Sequence, residues 1–296
     1  MNDDPLLQLA EWGAQTERRV RRRQRLGNLG RVLTSPARAV RSRITLALVA
    51  IVAAVAAVAG VSWVFRDDHG PRSDEPAAAF IPNPGDGPFA GTPAATFAEG
   101  AAGIALPEAR AIGLFSAAEV AQALDQVRVA LIAARLDPRM TTERDVTGFL
   151  ALLEPSIRDF SRYVFAEAFF ADFATQVAPG YRLSEAAPRV KGEVTYQVAS
   201  DNSSLEVDTN FVWVYAFERP GVPAADNIVV VHDIVSWQMH PKGLRFQPGV
   251  GYLSNVDCDL LDRSLLAPAD PTDKAPIAED PAVVFDPDRW PDGVAC

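Results

Sequence analysis

LEVDTNFVWVYAF, residues 205–217, decides the fold. Leu205, Val207, Thr209, Phe211, Trp213, Tyr215 and Phe217 recur at every second position, and a period of two puts them on one face of an extended strand. The opposite face opens with Glu206, Asp208 and Asn210 and turns apolar at Val212 and Val214. Just upstream, Val190, Val194, Tyr196 and Val198 alternate with Lys191, Glu193, Thr195 and Gln197. The Asp201-Asn202-Ser203 turn joins the two runs into a hairpin. Downstream, residues 227–240 and 244–253 supply two further strands.

What precedes the hairpin has a helical period instead. Ser116 with Glu119 forms a capping box, and Val120, Leu124, Val127 and Leu131 follow along one face of a helix ending near Asp137-Pro138. A second helix is expected over 142–153, carrying Phe149, Leu150 and Leu153 and stopped by Pro155. Ser156 with Asp159 opens a third, whose aromatic face holds Phe160, Val164, Phe165, Ala168, Phe169 and Phe173. Ala178-Pro179-Gly180 ends it. Helices followed by long antiparallel strands imply an α+β domain over 114–266, about three helices packed on one face of a curved sheet of four to five strands.

The order and length of these elements over 114–258 resemble the NTF2-like fold, in which initial helices close over a curved antiparallel sheet as a cone. The whole layout is similar to the inner-membrane scaffold subunits of conjugation and type IV secretion machines. It is similar also to uncharacterised membrane proteins of high-GC bacteria, some associated with lipid importers. The resemblance implies assembly through protein contacts and transfers no functional residue.

N-terminal to the domain, residues 44–65 read ITLALVAIVAAVAAVAGVSWVF without a charge. At about 1.5 Å per residue such a run spans a hydrocarbon core of roughly 30 Å, so a single transmembrane helix is expected. Arg38, Arg41 and Arg43 precede it and Asp67 and Asp68 follow, which orients it with the N-terminus cytoplasmic and the C-terminus extracellular. The competing reading is a signal peptide cleaved after Ala57-Val58-Ala59, against which the long basic segment at 1–43 argues. That segment holds ten Arg against four acidic residues, a charge of +6, and the remaining 18 basic and 34 acidic residues leave −16 elsewhere. Arg18, Arg19, Arg21, Arg22, Arg23 and Arg25 are candidates for contact with the lipid bilayer through anionic headgroups. No nucleic-acid-binding motif accompanies them. Proline, glycine and alanine in residues 66–113 predict a stalk, and the acidic, proline-rich stretch 267–296 a tail that docks partially through Val283, Val284, Phe285 and Trp290.

Chemistry is sparsely marked. There is no glycine-rich phosphate loop, no G-x-S-x-G elbow and no cysteine with a plausible histidine partner, so neither a catalytic residue nor a cofactor is assigned. His69, His232 and His240 are spaced too widely along the chain for a zinc site, and the tail acids match no calcium loop. A candidate pocket inside the cone comprises Asp233 or His232 with Tyr163, Tyr181 and Trp213 as walls, the bland alternative being ordinary core and strand residues. Adjacent positions in a strand point to opposite faces, so His232 and Asp233 are not expected to share that pocket without a bulge. Cys258 and Cys296 are candidates for an internal disulfide, with free thiols or an intermolecular bridge as alternatives. The expected function is a membrane-anchored interaction or scaffold protein, with an NTF2-like ligand binder or enzyme as the alternative.

Overall fold

The structure, a computed structural model, describes residues 87–166, 170–199, 204–240, 242–249, 251–272 and 281–289. The elements of the sheet are β1 (Ala98–Glu99), β3 (Arg189–Val198), β4 (Leu205–Ala216), β5 (Ile228–His240), β6 (Gly243–Pro248) and β7 (Tyr252–Ser254). They form one antiparallel sheet in the order β1-β3-β4-β5-β6, with β7 also on β5. A second, two-stranded sheet pairs β2 (Gln176–Val177) in parallel with β8 (Leu265–Leu266). The helices are α1 (Ala117–Arg135), α2 (Pro138–Thr141), α3 (Thr147–Leu152), α4 (Pro155–Ala166) and α5 (Cys258–Leu261).

β4 forms as its alternation requires. Its odd-numbered residues are buried throughout, and its even-numbered residues are half-exposed up to Asn210 and buried from Val212 onward. It pairs with β3 from Arg189↔Val214 to Val198↔Leu205 and with β5 from Glu206↔Gln238 to Ala216↔Ile228. α1 begins with both halves of the capping box, the Glu119 amide donating to Ser116 Oγ and the Ser116 amide to the Glu119 carboxylate. Its stripe of Val120, Leu124, Val127 and Leu131 packs on the sheet with Phe149, Phe173, Phe211, Trp213 and Tyr215 in the main core.

Several expectations are corrected. The run at 44–65 and the arginines of 1–43 lie outside the described residues. Among the described residues no helix is long and apolar enough to cross a membrane. The longest, α1, has 19 residues but is amphipathic, with one face on the sheet and Asp125 and Val129 on the other. The expected transmembrane helix thus has no counterpart among the described residues, which counts against the single-pass membrane localisation.

The helix expected over 142–153 is shortened to α3, with Arg144 at a positive φ of 59° between it and the separate turn α2 at Pro138–Thr141. The third starts at Pro155, the first-turn position where proline costs no hydrogen bond, and its described helical part ends at Ala166. From Phe170 the chain turns, and β2 occupies the place expected to be helix. The strand expected over 244–253 is also divided, into β6 and β7, at Gly249 and Gly251. A Cβ on Gly251 would meet the His232 carbonyl oxygen, so the chain passes β5 too closely for any side chain.

The described part of the expected stalk is packed structure. Phe89, Ala94, Phe97 and Ile104 are buried, and β1 adds to the edge of β3. Helices cover one face of the sheet, as expected, but the other face is not open. Phe89, Ala94 and Phe97 join Val283 and Val284 of the 3-10 turn Pro281–Phe285 over Val212, Val214, Ile228, Val230 and Tyr252 in a second core. That cover explains why β4 stops alternating halfway along. Val283, Val284 and Phe285 dock as expected, and Trp290 lies outside the described residues.

Candidate functional site

Arg135 is the last residue of α1 and four residues beyond Leu131, so it falls on the apolar stripe that faces the sheet. A cation there is favoured by the helix C-terminus, but a guanidinium in a core must find a partner for its charge. It finds Asp233 of β5, with Nε donating to Oδ2 at 2.8 Å and Nη2 at 2.7 Å from the same oxygen. Nη1 donates to the Ala174 carbonyl at 2.8 Å and to Thr175 Oγ1 at 2.9 Å, and Nη2 to the Ala171 carbonyl at 3.1 Å. Tyr215 closes the network, donating to the Arg135 carbonyl at 3.0 Å and lying 3.0 Å from Thr175 Oγ1. Arg135 and Asp233 are each 1% exposed.

Burial decides the electrostatics. It pushes the Asp233 carboxyl up from the ordinary aspartate range, opposed by the Arg135 charge and by the neighbouring Trp213 indole. Burial raises the Tyr215 phenol to about 12, so it stays protonated and available as a donor. Asp233 Oδ1 and Trp213 Nε1 make no hydrogen bond within acceptable geometry. The cavity beside Arg135, lined also by Thr175, Gln176, Val231 and Ser264, holds about 10 Å³, at the lower limit for one water. The arrangement can lock α1, the 171–175 segment and β5 together. The cavity beside it, at about 10 Å³, is too small for a substrate.

The two alternatives for the candidate pocket, Asp233 and His232, fall on different sides of the sheet. Trp213 is fully buried beside Phe211, with ring centroids 5.2 Å apart. Tyr163 on α4 is half-buried at the margin of the main core, and Tyr181 stands edge-on to Phe217 at 6.4 Å. His232 and Asp233 point to opposite faces, as strand geometry requires. His232 lies in the second core, its Nε2 2.7 Å from Asn210 Oδ1 and its ring 4.6 Å from that of Tyr252. Burial lowers its pKa to about 4. Tyr163, Tyr181 and Trp213 pack in or against the main core, the side on which Asp233 meets Arg135, so of the two alternatives it is His232 that lies apart from them.

Arg135, Thr175 and Tyr215 are absent from that candidate set. Arg135 had a legible signal, a charged residue in register with an apolar helical stripe. Thr175 had none. A second ion pair joins Glu154, just before α4, to Arg245 of β6, with Arg245 Nη2 3.1 Å from Glu154 Oε1. Arg245 holds the Glu154 carboxyl below its usual range. Cys258 opens α5 and is disulfide-bonded. Cys296 lies outside the described residues. Among the described residues no three His, Cys, Asp or Glu side chains are grouped to hold a metal ion.

No family model, no curated protein and no solved structure matches this chain. The resemblance to the NTF2-like fold and the likeness to secretion scaffolds accordingly gain no support from relatives.

Proposed function

We propose that this chain is a non-catalytic protein-interaction or scaffold protein that works through its surface. The observation that carries the reading is the filled interior. Asp233, the carboxylate best placed for general-base work inside the fold, is occupied by Arg135, and the adjoining space is about 10 Å³. Ligand sites for small molecules are commonly 300 Å³ or more. A binder or enzyme that used this part of the interior would need more space than the cavity beside Arg135 holds.

A larger concavity is outside. An open groove of about 460 Å³ runs along the solvent side of α1, lined by Gln122, Asp125, Gln126, Val129, Leu152 and Leu244. Val129 is half exposed there. An apolar floor with amides and one carboxylate on its rim suits contact with a polypeptide, because apolar burial supplies affinity and the rim supplies register. A photo-crosslinking residue placed at position 129 in cells that make the protein tests this. One dominant protein adduct is expected, reduced several-fold by Gln126→Arg. A small molecule retained stoichiometrically in native mass spectra, or no adduct at 129 above that at an exposed control position, would overturn the reading.

A further inference from the structure

His232 sits between two of the polar contacts that hold residues 281–289 on the outer face of the sheet. Asn210 Nδ2 donates to the Pro287 carbonyl at 3.1 Å, so its Oδ1 is the atom turned to His232 Nε2. Tyr252, whose ring lies against the imidazole, donates its hydroxyl to the Val284 carbonyl at 3.1 Å. With Asn210 oriented this way, Nε2 carries the proton of the neutral imidazole and donates it to Oδ1. Val212, Val230, Tyr252, Val283 and Val284 supply buried apolar surface on this side of the sheet.

We propose that His232 is the trigger of an acid-released latch, its protonation freeing residues 281–289 from the sheet and uncovering the valine face beneath. A second proton places a full positive charge in an apolar layer, against an aromatic ring already committed to the segment. The charge is relieved when the segment lifts and water reaches the imidazole. Charged and titratable groups on the surrounding elements are Arg189 and Lys191 of β3, which lie over the rings of Phe89 and Phe97, Glu193 of β3 opposite Asn210, Glu206 and Asp208 of β4, Tyr252 of β7, and Asp286, Asp288 and Arg289 of the latch itself. Residues 89–97 contribute none. Burial holds the imidazole neutral.

The sign follows from linkage. The released state binds the proton near an ordinary histidine pKa of about 6.5 and the closed state near about 4, so acid favours release. Between pH 7.5 and 4.5 the ratio of released to closed segment rises about 70-fold on those two values.

Hydrogen exchange of the full chain, read by mass spectrometry and corrected for the intrinsic pH dependence of exchange, measures this directly. Protection of peptides within 281–289 is expected to fall by tens of fold from pH 7.5 to 4.5 while α1 stays protected. His232→Gln, which retains a donor toward Asn210 but does not titrate, is expected to keep the segment closed. Protection persisting in the wild type at pH 4.5, equal loss in His232→Gln, or rescue by Asp286→Asn instead would overturn the proposal. Should His232→Gln not fold, the NMR titration of His232 in the wild type decides, since its midpoint must coincide with that of segment release and any other midpoint overturns the latch.

Discussion

A single misplaced charge shows how much the core depends on individual side chains. Arg135 and Asp233 are worth little as a pair relative to apolar residues of the same volume, because each loses its hydration on burial, yet either one alone is a buried unpaired charge. Arg135→Met or Asp233→Leu should each destabilise the domain by about 3 to 5 kcal/mol in urea denaturation, whereas the double substitution should recover most of that loss. Additive single-mutant costs would refute the coupling. Glu154 gives the pH-dependent counterpart. Arg245 depresses its folded-state pKa, so its contribution is present above the unfolded value of about 4.3 and is lost as pH falls through the lower folded value. Glu154→Gln should cost about 1 to 2 kcal/mol near pH 7, and the gap to wild type should close below about pH 4 when melting is followed against pH.

The elements owe their ends to local chemistry. Ser116 and Glu119 satisfy amides at the start of α1, and Ser116→Ala should lower stability by about 1 kcal/mol in thermal melts without altering the fold. β6 and β7 share one partner strand only because the chain between them hugs β5. Gly251→Ala would set a methyl group against the His232 carbonyl, and a loss of about 1 to 3 kcal/mol is expected in chemical denaturation. Both the capping box and the alternation of β4 were legible from residue order, since each depends on neighbours a few positions away. The break between α2 and α3 was not. Nothing in the residue type of Arg144 announces a left-handed backbone, a conformation that glycine or asparagine would have signalled. β2 was hidden similarly, because two residues carry no period and Gln176–Val177 becomes a strand only by pairing with Leu265–Leu266.

At the scale of the whole molecule, the sheet is a shared wall between two cores. Helices close one side, and segments from either end of the described chain close the other. The outer cover should be a sizeable share of stability, since burying a valine side chain is worth about 1.5 to 3 kcal/mol. Val283→Asp or Val284→Asp should therefore lower the melting temperature and expose the face of Val212, Val214 and Val230, measured as binding of an apolar dye. No change in dye binding would mean that the cover is dispensable.

The α+β order, the hairpin of β3 and β4, the start of α1 and the core face of β4 were determined by the sequence itself. Hydrophobic periodicity, caps and turns act over a few residues and leave a readable pattern. Tertiary structure alone decided that the proline-rich segment at 87–113 would pack, that it would join residues 283–284 in a second core on the far side of the sheet, and that Arg135 would meet Asp233 across 98 positions of chain. The physical reason is desolvation. An apolar face or a buried charge must be covered by something, and which segment covers it depends on what the closed chain brings within reach.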